Sequence, residues 1–219
     1  MTESPESGGL AGTELAGAEL GRAEPSDAEL GRLKAGLAAK AENAGLLDVA
    51  YRTLDTPVGE LLLAATPAGL VRVAYEREDF DKALDVLAAR ISARVLQAPR
   101  RLDTAARQLE EYFTGRRRLF ELPVDLSLAS GFRRSVLGYL PQIGYGHTSS
   151  YGAVAAALDH PRAARAVGTA CATNPLPLVI PCHRVVRSDG QIGAYLAGAE
   201  TKERLLELEA EAGGWSVAR

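Results

Sequence analysis

Asn174-Pro-Leu-Pro-Leu-Val-Ile-Pro-Cys-His-Arg-Val-Val186 is the stretch on which the reading of this chain turns. Its apolar centre, Leu178-Val179-Ile180, lies between prolines. It predicts one short buried strand that Pro181 stops, because proline has no N–H to give to a ladder. Cys182, His183 and Arg184 follow at once. A thiol at the end of a buried strand lies near the surface on rigid backbone, a placement that suits a nucleophile. A neighbouring histidine and arginine favour thiolate, the reactive form. The plainer alternative is that an intracellular thiol often serves as a small apolar filler.

Upstream of this stretch the chain reads as mostly helical. Ser130 is a cap for a helix carrying Phe132, Val136, Leu137 and Leu140, which Pro141 ends. Gly144 to Ser150 is a loop whose serines cap a helix from Tyr151 to Leu158. Asp159-His-Pro161 is a tight turn with Pro161 at the first position of another helix, running to about Ala172. Two short helices joined in this way form a helix-turn-helix pattern. Nearly every residue of the second helix is small, and Arg162 and Arg165 protrude from it. Small residues allow close approach to another surface, where arginines reach phosphates or a base stack. A helix buried against a neighbour accounts for the alanines equally well, but not for the arginines.

Downstream, Ser188-Asp-Gly190 makes a turn, and Gln191 to Gly198 is a loop containing Tyr195. Thr201 is the expected cap of a last helix, Lys202 to Ala210, bearing Leu205, Leu206 and Leu208. Gly213-Gly214 ends it, and Trp215 is expected to pack back on the surface.

Towards the N-terminus, Val49–Leu54, Glu60–Ala65 and Leu70–Tyr75 read as three short strands separated by turn compositions, hence an antiparallel meander. Asp79–Ser92 has the apolar spacing of an amphipathic helix, and Asp103–Thr114 is a second helix closed by Gly115. Arg116-Arg-Arg118 reads as a solvated helix end, with phosphate contact as the alternative. No chemistry is visible in this part. Residues 1–47 repeat Ala, Gly, Leu and Glu with too many glycines for a stable lone helix, and read as a disordered leader.

The net charge of −3 is unevenly distributed. Residues 1–47 hold eight acids and four bases, whereas 131–192 hold six arginines against Asp159 and Asp189, with all three histidines. The positive field therefore surrounds Cys182, and field matters more than sum for a polyanionic partner. Apolar content of 47% and charged content of 24% are those of a soluble globular protein. No apolar run approaches the roughly 20 residues that span a membrane. With only Cys171 and Cys182, neither a disulfide framework nor a four-cysteine zinc site can form, so a reducing, cytoplasmic location is expected.

Pro181-Cys-His-Arg-Val185 closely resembles the active-site signature of the methylated-DNA–protein-cysteine methyltransferases, the O6-alkylguanine-DNA alkyltransferase family. Tyr151-Gly-Ala-Val-Ala, Ala163-Ala-Arg-Ala-Val-Gly168, Asn174-Pro, Gly193-Ala-Tyr195 and Lys202-Glu203 extend the likeness over roughly Phe132 to Glu209. The implied fold is α+β: a small ribonuclease-H-like domain over 48–126, then a mainly helical, winged-helix-like catalytic domain with a helix-turn-helix over 127–219. The implied function is DNA repair by a monomer. It would flip an O6-alkylated guanine, or an O4-alkylated thymine, from double-stranded DNA. The alkyl group would then pass to its own cysteine once, irreversibly and with no cofactor. Flipping follows from access, because a stacked base hides its O6 substituent from a buried thiol.

Carried over by position, the resemblance makes Cys182 the acceptor. His183 would take the thiol proton through a water, Glu209 would orient the histidine, and Asn174 would support the active-site turn. Tyr151 would contact the flipped base and a phosphate, and Tyr195 would wall the pocket. The carbonyls of Cys182 and Val185 would accept from the guanine amine, and the Leu196 N–H would donate to O6. Arg165 would fill the vacated stack, with Arg162 and Arg184 as further DNA contacts. Leu196-Ala197-Gly198 departs from the family's more usual small polar residue and two glycines, which narrows the expected pocket. Arg204 stands where an aromatic residue is common. Two other readings are a protein that binds alkylated DNA without transfer, and a Cys-His hydrolase. The first is disfavoured by the cysteine itself. The second is disfavoured because sequence neighbours seldom face each other in the geometry such catalysis needs.

Overall fold

The structure is a computed structural model that describes residues 26–213. The first described element departs from the expected disordered leader. α1 spans Asp27–Asn43, opened by a capping box in which the Glu29 N–H donates to Ser26 Oγ at 3.4 Å and the Ser26 N–H donates to Glu29 Oε2 at 3.0 Å. Reciprocal capping offsets the glycine cost, and burial of Ala38 and Leu47 ties this segment to the sheet. Residues 1–25 and the expected packing of Trp215 lie outside the described residues.

The meander is present as expected: β1 (Val49–Leu54), β2 (Leu61–Thr66) and β3 (Gly69–Tyr75) pair antiparallel in sequence order. β2 lies inside the sheet and is buried along its whole length. Its side chains alternate between two cores, as the period of a strand requires: Leu61 and Leu63 face one, Leu62 and Ala64 the other. Helix α2 (Phe80–Arg90) covers the second face with Ala83 and Leu87. A strand absent from the sequence reading, β4 (Val95–Gln97), adds parallel to β1. Two half-buried residues and an exposed glutamine carry too little alternation to announce a strand. Helix α3 (Asp103–Phe113) sends Ala105, Ala106, Leu109 and Tyr112 into the first core. Gly69 is required where it stands: its φ is +141°, and a Cβ there would strike the backbone of Pro123, whose carbonyl accepts from the Leu70 N–H at 2.8 Å.

The helical half comprises α4 (Gly131–Tyr139), β5 (Ser149–Ser150), α5 (Tyr151–Ala157), α6 (Ala164–Ala172), β6 (Val185–Val186) and α7 (Ala199–Gly213). α6 packs on α4 and α5, with Val167, Ala170 and Cys171 inward and Arg165, Ala166 and Thr169 exposed. Three boundaries differ from expectation. Ser130 precedes α4 but its side chain makes no capping bond, whereas Ser150 Oγ does accept from the Ala153 N–H at 3.0 Å. Pro161 lies in a turn closed by the Ala163 N–H donating to His160 O at 2.8 Å, so α6 starts only at Ala164. α7 starts before Thr201, whose hydroxyl is spent on Ala197 O at 3.1 Å rather than on a cap.

The largest correction concerns the opening stretch. Leu178-Val179-Ile180 is buried as expected, but it forms no strand. Pro175, Pro177 and Pro181 have no N–H, so a ladder cannot form. The chain instead coils into tight turns, with Leu178 at φ +73° and the Ile180 N–H donating to Leu176 O at 2.8 Å. The strand pairing occurs after the cysteine, where β6 runs parallel to β5. One continuous apolar core contains Leu61, Leu63 and Tyr75 of the sheet together with Cys182, Val185, Tyr195 and Leu205. The sheet and the reactive region therefore share a core. No helix among the described residues is long and apolar enough to cross a membrane.

Candidate active site

With no ladder available, the turn before Cys182 is held by one side chain. Asn174, fully buried, accepts from the Leu176 N–H through Oδ1 at 3.0 Å. Its Nδ2 donates to Ile180 O at 2.8 Å and to Cys182 Sγ at 3.1 Å. Every polar group of that amide is used inside the turn, which fixes the thiol relative to the backbone around it. Cys182 is 1% exposed. Burial pushes its thiol up to about 11, against the opposing pull of the Asn174 hydrogen bond and the Lys202 ammonium. At rest the sulfur is therefore a thiol. The sequence expectation of a thiolate favoured by His183 and Arg184 does not hold, because both neighbours turn to a different partner.

That partner is Glu209 on α7. Its carboxylate is fully buried, and His183 Nε2 stands 2.8 Å from Oε1. Arg184 donates from Nε to Oε2 at 2.9 Å and from a terminal nitrogen to Oε1 at 3.0 Å. The Tyr112 hydroxyl donates to Oε1 at 2.8 Å, and the Gly146 N–H donates to Oε2 at 3.0 Å. Burial alone would raise this carboxyl. The His183 hydrogen bond and the Arg184 charge overcome it and hold Glu209 ionised, well below the usual carboxylate range. Burial outweighs the Glu209 contact at His183 and lowers its proton affinity, so the imidazole is neutral. Nε2 then carries the proton towards Glu209, and Nδ1, buried without a partner among the described residues, is the basic nitrogen.

A second buried cation completes the site. Lys202 is fully buried, one turn into α7, and donates from Nζ to Val185 O at 2.5 Å. Burial lowers its proton affinity, while the Cys182 and Cys171 sulfurs act the other way. Lys202 Nζ also stands 5.8 Å from the ring centroid of Tyr151. The Tyr151 ring lies against two glycines. A Cβ on Gly168 would come within 3.9 Å of it, and a Cβ on Gly193 would fall on its hydroxyl and 3.0 Å from a ring carbon. Elsewhere in the cluster, Tyr195 OH is 3.0 Å from the hydroxyl of Tyr75 on β3, with the rings edge to face. The His183 ring lies 6.5 Å from Tyr195. Among the described residues no group of histidine, cysteine and acidic side chains gathers to hold a metal ion.

The fold thus brings Asn174, Cys182, His183, Val185, Tyr195 and Glu209 into one buried cluster with Tyr151 beside it. Leu196, next to Tyr195, is half-buried. The carbonyls of Cys182 and Val185 each already accept one internal donor, the Val185 N–H and Lys202, and keep a second lone pair. Arg162 and Arg165 lie apart from the cluster, exposed before and within the first turn of α6. Arg184 does not join them. It is 6% exposed and spent on Glu209 and on Ile143 O, at 2.6 Å, so its expected DNA contact is replaced by an internal ion pair. A sequence-adjacent arginine looks available until its partner, 25 residues away, is known.

Four residues were given no role from sequence: Lys202 and Gly193, quoted only as part of the family likeness, and Tyr75 and Tyr112. For Lys202 a signal existed. Lys202, Leu205 and Glu209 recur at i, i+3 and i+7, so two charged residues share the apolar face of α7, a pattern that marks buried, paired charge. The two tyrosines come from the part judged to carry no chemistry, and no local pattern points to them.

Residues 131–211 match the 6-O-methylguanine DNA methyltransferase DNA binding domain, and residues 49–126 the ribonuclease-like domain of the same family. A methylated-DNA–protein-cysteine methyltransferase of Methanosarcina barkeri is 39% identical over 73% of this chain and 96% of its own length. The constitutive methylated-DNA–protein-cysteine methyltransferase of Bacillus subtilis is 35% identical over 74% of this chain and 94% of its own. Among solved structures, Mycobacterium tuberculosis OGT in complex with DNA superposes with a TM-score of 0.64 at 34% identity, covering 74% of this chain and 94% of that one. With both family domains matched in order and relatives spanning nearly their whole length, the chain belongs to the 6-O-methylguanine DNA methyltransferase family.

Proposed function

We propose that this protein repairs O6-alkylguanine in double-stranded DNA by moving the alkyl group onto Cys182, once per molecule and with no cofactor. The carrying observation is the Cys182 thiol clasped by Asn174 next to a neutral His183 whose Nε2 is held by Glu209. His183 Nδ1 takes the thiol proton through a bridging water, and the emerging thiolate is stabilised by the Asn174 amide and the Lys202 ammonium. The sulfur attacks the alkyl carbon. The S–C bond forms as the C–O6 bond breaks, and the pair left on guanine is neutralised by the proton that came from the thiol. A thiol that is uncharged at rest agrees with this order of events, because the nucleophile forms only once an electrophile and a base are in place.

A buried acceptor demands a flipped base. Tyr151 and Tyr195 are the proposed walls for it, with the backbone at Val185 and Leu196 reading guanine. Arg165 would occupy the gap in the stack, and Arg162 would meet phosphate. The working molecule is a monomer in the cytoplasm. Its sheet-bearing domain occupies 48–126 and its transfer domain begins near 127.

Incubation with a duplex carrying one O6-methylguanine, followed by intact mass and peptide mapping, tests the proposal. The expected result is one methyl on Cys182 per chain, absent in Cys182→Ala. Tight lesion binding with no mass gain would leave a sensor of alkylated DNA in its place.

A further inference from the structure

We infer that Tyr112, outside the DNA binding domain, is a positioning residue that sets the proton affinity of His183. This rests on the transfer reading above and adds to it a role for the sheet-bearing part of the chain.

Tyr112 is fully buried on α3, its ring held by Phe113 at 5.4 Å, Phe120 at 5.3 Å and Tyr145 at 6.0 Å between centroids. Its hydroxyl reaches 97 residues along the chain to Glu209 Oε1, the oxygen that His183 Nε2 also uses, each at 2.8 Å. The other donors to this carboxylate, Gly146, His183 and Arg184, all lie within the matched DNA binding domain. Tyr112 alone, among the described residues, reaches it from the other domain. Arg184 also donates to this oxygen, at 3.0 Å. Donors on one oxygen compete for the same electron density, so each bond is weaker than it would be without the tyrosine. The tyrosine thereby limits how strongly Glu209 can stabilise a protonated His183, and keeps Nδ1 free to accept the thiol proton.

Other groups around His183 act in defined directions. Arg184 and Lys202 oppose its protonation and Glu209 favours it, while Tyr195, joined to Tyr75, presents a neutral ring. Removing the Tyr112 hydroxyl while keeping its ring takes away none of these groups and acts on His183 through Glu209 Oε1.

Tyr112→Phe is therefore the test, read in two ways. In the free protein at neutral pH, the His183 Nε2 proton resonance moves downfield as its bond to Oε1 strengthens. In single-turnover transfer to an O6-methylguanine duplex, the acid limb of the pH–rate profile moves up by about half a pH unit, about threefold in proton affinity. Rates at pH 9 stay within about twofold of the parent, since His183 is neutral there in both proteins. Replacing Tyr112 with 3-fluorotyrosine, a stronger donor of the same shape, shifts both readouts the opposite way, and serves if the phenylalanine variant does not fold. An unmoved Nε2 resonance overturns the inference, and so does a rate loss that is uniform across pH. If the parent protein transfers no methyl, the proposed activity fails, while the Nε2 resonance still decides the role of Tyr112.

Discussion

The side-chain amide of Asn174 donates to the Cys182 sulfur at 3.1 Å while its other contacts close the turn that carries that sulfur. Support of the backbone and restraint of the nucleophile are thus one interaction set. Asn174→Ala leaves the Leu176 N–H buried without its partner and takes from the Ile180 carbonyl one of its two donors, the other being the Cys182 N–H. Urea denaturation should show a loss of about 1–3 kcal/mol. Removing the donor also pushes the thiol further up, so transfer should slow more than tenfold even where the variant is folded.

The resting thiol has a direct signature. Because burial pushes the Cys182 thiol up to about 11, its labelling by iodoacetamide should climb close to tenfold per pH unit from pH 7 towards 10, as read by peptide mass. The stability sign follows. The folded thiol lies above its ordinary value of 9.0, so its contribution is fully present below about pH 9 and is lost as pH rises through about 11. Cys182→Ala should flatten that alkaline fall, in denaturation measured from pH 8 to 11. Lys202→Met should raise the labelling midpoint.

Gly193 is set against the Tyr151 hydroxyl so closely that no Cβ fits. Gly193→Ala should cost about 1–3 kcal/mol as the ring is pushed aside, and should slow transfer by displacing the proposed base-contacting residue. In a Tyr151→Phe background the worst contact is gone, so the cost should shrink. A thermal-denaturation double-mutant cycle measures the difference, and strictly additive costs would contradict direct contact.

Arginines 165 and 184 should behave in opposite ways. Arg165→Ala removes an exposed cation from α6 and should lower the slope of log Kd against log salt by about 1 on duplex DNA, with little change in stability. Arg184→Ala should leave the slope unchanged. It breaks a buried ion pair and should destabilise the fold by about 3–5 kcal/mol.

Much of this molecule is readable from local pattern. β1 to β3 announce themselves by turn compositions at short spacing, and α5 and α6 by the tight turn between them. Local pattern fails where partners are distant. The apolar run at Leu178–Ile180 is correctly read as buried, yet burial alone does not distinguish a strand from a coiled turn; the three prolines around it carry the answer. Arg184 looks like a surface cation because its acid lies on another helix. Tyr112 is silent for the same reason, since its hydroxyl acts 97 residues away. Cys182, His183 and Asn174 are marked by a family signature in one short segment, whereas Glu209 is identified by position alone.

Glu209 also ties the chemistry to the order of synthesis. Cys182 and His183 precede α7 in the chain, and until α7 has folded against them His183 and Arg184 have no acid to meet. Only when α7 docks, and α3 brings Tyr112 to the same carboxylate, is the proposed proton-accepting group assembled. A ribosome that stalls before residue 209 releases a polypeptide that has its acceptor sulfur but lacks the acid partner of its histidine. On the proposed roles of His183 and Glu209, an acceptor that can be used only once gains its base late, when the last helix is in place.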